Sequence, residues 1–496
     1  MTTLVAGLRA DLAAAGFTVD GVAGRLGDVA AAALHREQAL PADLATAGAS
    51  DPCGVLVRLF TLGLPVRRAD VAVALPTLGV EGAAALGLLR VLTPAGPDGD
   101  VAATCDLRPY ADDAHDWWVT SDLSELATRA PLRPDHVLGI GGASTTLASW
   151  TVRRPVARAL DLGTGCGVQA LHLTAHAEHI VATDISDRAL AYAAFNAALA
   201  GADLEVVHGN MLDPVAGQRF SLVVSNPPFV ITPRSEDVPL YEYRDGGRPG
   251  DEIVRSLVRD VGAVLEPGGV AQLLGNWEVP EGRTWREVWA DWLDGVDLDA
   301  WVIQRETQDP AQYAELWARD GGTLPGSPGH DRMYAAWLRD FAARDVAAIG
   351  FGIITLQRPA VDREPWRDLD EASGPVPPGM GGVVDAGLRA RTWLAEHSDD
   401  ELLDVAWSCA PDVTEERHGR PGAEDPAVIL VRQGGGLGRA VRVDTVLAGF
   451  LGVADGTLTA RVALEAIASL LDLDPAAVQS QALPQLRGLV ADGLLV

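Results

Sequence analysis

The sequence contains no lysine, so all 39 of its Lys-plus-Arg residues are arginine. Against 68 acidic residues this leaves a formal net charge of −29. A surface this acidic disfavours non-specific binding to the phosphate backbone of a nucleic acid. The sequence also contains no block of basic residues that could bind nucleic acid by charge alone. A local patch of arginines remains compatible with the composition.

Cysteine is scarce as well. The four cysteines, Cys53, Cys105, Cys166 and Cys409, are far apart and form no C-x-x-C, which argues against a disulfide framework and a thiolate zinc site and is typical of a reducing compartment. The first residues lack the basic and apolar regions of an export signal. No apolar run approaches the roughly 20 residues of a membrane span. We therefore expect a cytoplasmic protein.

At 496 residues, with 48% hydrophobic and 22% charged residues, the chain is long enough for two to four folded domains. We expect an N-terminal, mainly helical, winged-helix-like domain over 1–130, because apolar residues recur there at helical spacing before a short β-ribbon. The central domain is expected over 131–360. A mainly helical C-terminal domain, with a second winged-helix-like fold as one option, is expected over 361–496, after a Pro/Gly-rich stretch at 374–382.

Short apolar strands alternate with helical segments from about residue 135 to 275. ARALDLGTG, HIVATDIS, LEVVHGN, FSLVVSN and VAQLLGNW have strand character, and this alternation predicts a mostly parallel sheet covered by helices on both faces. Two further strand candidates, DAWVIQRE and AIGFGIITLQRP, enclose a helical insert near residues 305–346.

A glycine-rich turn follows the first of these strands. Gly163, Gly165 and Gly167 would let the backbone approach a ligand, with helix amides pointing towards it. Asp161 ends that strand and Asp184 closes the next one, where a carboxylate can accept hydrogen bonds from ribose hydroxyls. An acid after a glycine-rich turn also describes dinucleotide-dependent oxidoreductases, although G-x-G-x-G is not their usual spacing.

The run VVSNPPFV, residues 223–230, is a buried strand that ends abruptly. Two prolines cannot continue a sheet ladder, and each fixes its φ near −65°. They produce a rigid tip that presents Asn226, the Pro227 carbonyl and Phe229. Taken alone, this pattern is also typical of a simple strand-ending turn.

DLGTGCG, then TDIS, then SNPPF, in this order, resemble the class I S-adenosylmethionine-dependent methyltransferases with the (D/N/S)-P-P-(Y/F) motif. This amino-methylating branch includes release-factor glutamine, adenine N6 and ribosomal RNA guanine N2 methyltransferases. The resemblance covers about residues 136–275. It implies a Rossmann-like α/β fold with a mostly parallel seven-stranded sheet, S-adenosylmethionine as cofactor and a macromolecular acceptor.

The resemblance also implies roles for individual residues. Asp161, Gly163 and Gly165 would surround the methionine moiety and Asp184 the ribose. Asn210 and Met211 would lie by the adenine, with Asn210 standing where many relatives have Asp. The implied cofactor set is completed by Thr164, Gly167 and Ile185.

The proline-rich tip has a chemical reason in this context. The acceptor nitrogen of an amide or a nucleobase is planar and weakly nucleophilic. The Asn226 side-chain oxygen and the Pro227 carbonyl would accept its two hydrogens, fixing its orientation and favouring positive charge on nitrogen during attack. Phe229 would stack on the flat acceptor. Asn226, Pro227 and Phe229 are therefore the predicted catalytic residues.

Other candidates are weaker. His172, His176 and His179 have near-helical spacing, but no acid completes a metal motif, and we expect no metal. Cys166 is interpreted as a space-filling side chain. Residues 241–247 are equally compatible with a lid over the acceptor and with a solvated connection. Ser144 and Thr145 are included as residues that could cover the methionine end.

The sequence leaves the acceptor open. The winged-helix-like flanks and the Phe form of the motif slightly favour a base in RNA or DNA, whereas the overall charge favours a protein glutamine. A non-catalytic module that binds S-adenosylmethionine is a further alternative, which the intact Asn-Pro-Pro-Phe disfavours. The oligomeric state is not indicated.

Overall fold

A computed structural model describes residues 2–92, 99–128, 132–235, 238, 240–320, 326–422 and 426–496. The chain divides into two compact units. The first comprises 1–147, 155–296 and 306–354, and the second comprises 148–154, 297–305 and 355–496. The domain boundaries expected near residues 130 and 360 stay predictions.

The N-terminal part of the first unit is mainly helical, as predicted. Its elements are α1 (Thr2–Ala14), α2 (Val19–Leu26), α3 (Asp28–Leu34), α4 (Leu40–Ala45), α5 (Pro52–Leu56), a π-helical turn (Val57–Thr61), β1 (Val66–Arg67), α6 (Arg68–Ala74), α7 (Gly79–Ala85), β2 (Leu89–Val91), β3 (Asp100–Ala103), β4 (Asp106–Ala111), β5 (Asp116–Ser121) and α8 (Glu125–Thr128). β3 lies between β1 and β2 in a small antiparallel sheet, and β4 pairs with β5. The winged-helix description of this region stays a prediction.

Strands and helices alternate in the central region. Its elements are α9 (Gly142–Trp150), β6 (Val156–Leu162), α10 (Val168–Leu173), β7 (Ala177–Asp184), α11 (Asp187–Ala200), β8 (Glu205–His208), a 3₁₀ turn (Asp213–Val215), β9 (Phe220–Ser225), α12 (Glu252–Asp260), a 3₁₀ turn (Val261–Val264), β10 (Leu265–Pro280) and α13 (Trp285–Trp292). Local sequence defines α11 well. Ser186 accepts a hydrogen bond from the Ala189 amide at its start, and Gly201 ends it with a φ of 75°.

The next elements are β11 (Asp299–Gln308), α14 (Pro310–Asp320), α15 (Pro328–Ala343), β12 (Val346–Gln357) and β13 (Arg367–Glu371). α14 and α15 occupy the region of the predicted helical insert. Their apolar faces form a core together with Ile231 and with the start of β12, and Tyr313, Trp337 and Phe341 have no exposed surface in it. The insert is thus a packed helical pair.

Strands of the first unit lie in the order β12-β10-β9-β6-β7-β8. β6 runs parallel to both β7 and β9, β7 is parallel to β8, and β9 is parallel to β10. The prediction of a Rossmann-like, mostly parallel sheet with flanking helices is confirmed. Because Leu162 is opposite both Thr183 and Ser225, the carboxyl ends of β6, β7 and β9 lie at one edge of the sheet. That edge is where open α/β sheets bind ligands.

A buried asparagine connects the N-terminal region to this sheet. Asn196 on α11 accepts hydrogen bonds from the Thr120 amide at 2.8 Å and from its hydroxyl at 2.6 Å. It donates to the carbonyls of Thr120 and Cys166 at 2.9 and 2.8 Å. One side chain therefore holds β5, α11 and the glycine-rich turn together.

The second unit contains β11 paired in parallel with β13, followed by helices and a three-stranded antiparallel sheet. The remaining elements are α16 (Met380–Glu396), α17 (Asp399–Leu403), β14 (Val413–His418), β15 (Val428–Gln433), β16 (Ala440–Val443), α18 (Thr445–Val453), α19 (Ala460–Leu470) and α20 (Pro475–Ala491). The mainly helical character predicted for this flank is confirmed. Within the described residues, no helix has the length and apolarity needed to cross a bilayer.

Candidate active site

The glycine-rich turn and the Asn-Pro-Pro-Phe tip line the same cavity, of about 150 Å³, at the carboxyl edge of the sheet. The cavity places together nine of the twelve residues singled out from the sequence: Asp161, Gly163, Thr164, Gly165, Asp184, Ile185, Asn210, Met211 and Asn226. Gly167, Pro227 and Phe229 lie next to lining residues in the chain but do not themselves line the cavity. Pro228 does.

The turn between β6 and α10 needs glycine for two different reasons. Gly163 and Gly165 have φ values of 70° and 54°, and a Cβ atom at either position would meet nothing within 4 Å. Their backbone thus borders open space that a ligand can occupy. At Gly167, with φ of 88°, a Cβ would lie 3.1 Å from the Cα of Ala193 on α11. Gly167 therefore permits close packing of α10 and α11.

Asp161 is buried at the end of β6 and is hydrogen-bonded to the glycine-rich turn and to the start of α10. One of its carboxylate oxygens accepts hydrogen bonds from the Thr164 hydroxyl at 2.6 Å and from the Ala170 amide at 2.9 Å. Burial raises the pKa of this carboxyl to about 7, against the opposing effect of these two donors. Its hydrogen bonds thus fix the shape of the turn.

Asp184 links the second strand to the same turn. Its two oxygens accept hydrogen bonds from the amides of Gly165 and Ser186, each at 2.9 Å. Burial raises its pKa, and the backbone amides oppose that shift. Ile185 follows it and is 59% exposed. A carboxylate at this strand end is well placed to accept bonds from vicinal hydroxyls.

Asn210 and Met211 follow β8 on the other side of Asp184. The Gly209 amide donates to the Asp184 carbonyl at 3.0 Å, which keeps this loop against the end of β7. Met211 has a φ of 45°, a left-handed conformation that is uncommon for a residue with a Cβ atom. The loop is held in an unusual shape at the cavity edge, which is typical of ligand-binding positions.

Asn226 is the most informative residue of the site. It lines the cavity, and its side-chain oxygen Oδ1 is buried without a hydrogen-bond partner among the described residues. The preceding Ser225 donates its hydroxyl to the Leu162 carbonyl at 2.7 Å, which aligns the end of β9 with the end of β6. A buried amide oxygen without a partner is costly in a folded protein, and a donor arriving in the cavity would satisfy it.

The segment 241–245 lies against the residues that follow Asn226. Phe229 forms an antiparallel bridge with Asp245, and the Val230 amide donates to the Arg244 carbonyl at 2.9 Å. Glu242 and Tyr243 line the cavity. The segment thus borders the cavity, and its role as a lid over the acceptor stays a prediction.

Buried and charged contacts hold this segment in place. Arg234 forms an ion pair with Asp245 at 2.9 Å. Arg244 is only 2% exposed and lies over the Tyr241 ring, 4.6 Å from its centre. The Glu242 amide donates to the Pro134 carbonyl at 2.9 Å. These contacts couple residues far apart in sequence, which explains why local pattern alone did not settle the role of the segment.

Three further lining residues come from the segment before β6 and from 241–245. His136 was not singled out from the sequence, and Glu242 and Tyr243 were considered only as part of a possible lid at 241–247; no motif marks any of the three. The His136 ring centre is 5.9 Å from that of Tyr243, and burial lowers its pKa, so the imidazole is neutral at pH 7. Ser144, a weaker candidate, lines the cavity, whereas Thr145 does not.

The remaining candidates lie elsewhere. α10 ends at Leu173, so the predicted histidine row is not one helical face. His172 contacts the Tyr110 hydroxyl at 2.7 Å. Among the described residues, no three His, Cys, Asp or Glu side chains are grouped as a metal site. Burial raises the pKa of the Cys166 thiol to about 12, which makes it a poor nucleophile.

The charged groups on the cavity wall have one sign. Asp161, Asp184 and Glu242 contribute carboxyl groups, and no arginine is among the described residues that line it. Asp161 has its pKa raised to about 7 and is therefore only partly ionised near neutral pH. Such a wall suits a ligand with a positive charge or with several hydrogen-bond donors and disfavours a phosphate group in the cavity.

Two family profiles match the chain. Residues 14–103 match a domain of unknown function, DUF7059, and residues 140–289 match the methyltransferase small domain. The second match contains the glycine-rich turn, both strand-end acids, the Asn-Pro-Pro-Phe tip and the 241–245 segment.

Curated relatives are similar to part of this chain. A release factor glutamine methyltransferase of Deinococcus radiodurans is 40% identical over 129 residues, which is 23% of this chain and 44% of the relative. A ribosomal protein uL3 glutamine methyltransferase of Xanthomonas campestris is 35% identical and covers 30% and 49% of the two chains. A ribosomal RNA small subunit methyltransferase C of Alcanivorax borkumensis is 28% identical, covering 30% and 39%. The chain thus spans less than half the length of each.

Among solved structures, a T. thermophilus 16S rRNA N2 methyltransferase in complex with AdoMet and guanosine is 13% identical, covers 60% of this chain and 64% of that one, and has a TM-score of 0.29. That overall similarity is too low to carry functional meaning. The profile match and the sequence relatives support the resemblance drawn from the three motifs. Residues 140–289 match the methyltransferase small domain, and the curated relatives that match part of this chain are named as methyltransferases.

Proposed function

We propose that the protein is an S-adenosylmethionine-dependent N-methyltransferase acting on a planar amino nitrogen of a macromolecule. One observation carries the proposal. Asn226, with its buried and unpartnered Oδ1, lines the same cavity as the glycine-rich turn and Asp184. An acceptor oxygen for the incoming NH₂ group and a cofactor cradle thus border one small space.

The lining residues fit the cofactor. Gly163 and Gly165 offer bare backbone beside open space for the methionine moiety. Asp184 would accept hydrogen bonds from the ribose hydroxyls, and Asn210 and Met211 would lie beside the adenine. When bound, S-adenosylmethionine supplies a methyl group on a positively charged sulfonium, for which a wall with carboxylates and no arginine is favourable.

Asn226, Pro227 and Phe229 would act on the acceptor. The Asn226 Oδ1 and the Pro227 carbonyl accept the two N–H groups, so that the nitrogen lone pair points at the methyl carbon and developing positive charge is stabilised. Phe229 stacks on the planar group. In such a direct displacement the nitrogen–carbon bond would form as the sulfur–carbon bond breaks, so no covalent enzyme intermediate would be needed. S-adenosylhomocysteine would leave, and the methylated nitrogen would release one proton to water.

Within this reaction, we propose a protein side-chain amide, that of glutamine, as the acceptor. Relatives named as glutamine methyltransferases match at 35–40% identity, and the acidic cavity wall disfavours a phosphodiester close to the methyl group. These two points outweigh the slight preference for a base that the flanks alone suggest. The similarity to a ribosomal RNA methyltransferase keeps a guanine as the second candidate. Acceptors of either kind belong to the cytoplasm, which is the proposed compartment.

Labelling identifies the acceptor directly. The protein is incubated with S-adenosylmethionine carrying a radioactive methyl group and with cell extract, and parallel samples are treated with nuclease or protease. We expect label that survives nuclease and is lost on proteolysis. Label lost to nuclease would assign the reaction to a nucleic acid. Absence of label with a protein that binds S-adenosylhomocysteine would contradict the proposed activity itself.

A further inference from the structure

The helical insert α14–α15 contacts the segment that directly follows the Asn-Pro-Pro-Phe tip. Ile231, two residues after Phe229, has both its backbone polar atoms bound by side chains of the insert. Its amide donates to the Tyr313 hydroxyl at 2.8 Å, and its carbonyl accepts from the Trp337 indole N–H at 2.7 Å. A loop residue outside the named strands is thereby fixed on both sides.

The Tyr313 hydroxyl lies in a dry environment. Tyr313 has no exposed surface, its ring stacks on Phe351 with centres 5.6 Å apart, and burial raises its pKa, so it stays protonated. The hydroxyl also accepts a hydrogen bond from the Asn276 side chain on β10 at 2.7 Å. It therefore connects the tip segment to the sheet as well as to α14.

The same helix contacts the other wall of the acceptor site. The buried Arg244 of segment 241–245 lies 6.0 Å from the centre of the Trp317 ring, one helical turn after Tyr313. It also donates to the Trp317 carbonyl at 3.4 Å. One face of α14 thus supports both chain segments that flank Asn226 and Phe229.

We infer that Tyr313 and Trp337 are positioning residues for methyl transfer, which set the geometry of the acceptor tip through Ile231. The inference rests on the proposed function and assigns to α14–α15 a role that neither the motifs nor the family profile contain, since both helices lie beyond residue 289. Methyl transfer needs the acceptor nitrogen in line with the methyl group, and small misplacements are costly in rate.

The test compares Tyr313→Phe with Tyr334→Phe. The first removes only the hydroxyl that holds Ile231. The second removes a hydroxyl from the same insert at a ring that packs on His330. We expect Tyr313→Phe to lower kcat for methylation of the acceptor fraction found in the labelling experiment, by about tenfold to a hundredfold. The Kd for S-adenosylhomocysteine should stay unchanged within about twofold. Tyr334→Phe should match the wild type. Trp337→Phe, which removes the donor to the Ile231 carbonyl, should behave as Tyr313→Phe does.

Hydrogen exchange locates the effect. The Ile231 amide should exchange faster in Tyr313→Phe, while amides of β6 and β7 keep wild-type rates. An unchanged kcat, or a loss of cofactor affinity as large as the loss of kcat, would overturn the inference. A wild-type protein that binds S-adenosylhomocysteine yet transfers no methyl group would instead overturn the proposed function, so the two failures are distinguishable.

Discussion

At the residue scale, the buried oxygen of Asn226 is the group on which the proposed chemistry depends. Replacing Asn226 with Ala removes the acceptor for one N–H of the substrate. Because one transition-state hydrogen bond of this kind is worth roughly 10²–10³ in rate, we expect kcat to fall by about that factor. The Kd for S-adenosylhomocysteine should stay near the wild-type value.

Asn210→Ala is the matched control for that substitution. Asn210 lies at the proposed adenine end of the same cavity and is exposed. Its replacement should weaken cofactor binding and leave kcat at saturating cofactor nearly intact. If Asn226→Ala and Asn210→Ala gave the same pattern, Asn226 would have no separate role in the acceptor.

Asp161 makes a prediction about pH. Its pKa is raised by burial from the usual 3.8 to about 7. Between these values the unfolded chain is ionised and the folded protein still holds the proton, so the folded state loses stability as the pH rises from about 4 to 7. Asp161→Asn keeps an oxygen acceptor for Thr164 and Ala170 without this penalty.

Relative to wild type, Asp161→Asn should therefore gain stability as the pH rises through that window, by about 4 kcal/mol at most. Urea unfolding of both proteins at pH 5, 6 and 7 measures the difference. A difference that stayed constant with pH would show that this carboxyl is ionised in the folded protein.

At the element scale, segment 241–245 is held by an ion pair that can be removed without touching the cavity. Arg234→Gln breaks the contact with Asp245, so the segment should exchange amide hydrogens faster. The KM for the acceptor should rise severalfold, while cofactor affinity stays unchanged. Arg248→Gln, an exposed arginine of the same loop, serves as the control and should have no effect. Equal KM values for the two variants would mean that the segment is not part of the acceptor site.

Elements whose signal is local could be predicted from the sequence. The glycine-rich turn, the strand-end acids and the rigid Asn226 tip are each specified within a few residues, and parallel strands bring them to one sheet edge by topology alone. Gly167 shows the limit of this reasoning, because the same turn residue serves packing against Ala193, and that depends on a helix 26 positions away in the sequence.

The supports of the site could not be predicted. Tyr313 and Ile231 are 82 residues apart, and nothing in either local pattern indicates their contact. Likewise, Arg244 is a buried cation in a loop that looks polar in sequence. Residues that act through long-range backbone contacts carry no periodic or motif signal.

At the scale of the whole molecule, charge gives the clearest expectation. With a net charge of −29 and no lysine, binding of a peptide-borne glutamine should depend only weakly on salt. A slope of log Kd against log salt below about +1 is expected, whereas each phosphate contact to duplex DNA adds about +0.9. Titration of the purified acceptor between low and high salt measures it. A steep slope would favour the guanine candidate.

The four hydrogen bonds of the Asn196 side chain connect the N-terminal region to the small domain. Its amide holds Thr120 from the N-terminal region and the Cys166 carbonyl within the cofactor turn at once. Without the residues that precede the small domain, this side chain would lose three of its four hydrogen bonds, those to Thr120, directly beside the glycine-rich turn. The N-terminal region therefore supports the glycine-rich turn, and residues 140–289 joined to an unrelated domain would need new hydrogen-bond partners for this one side chain.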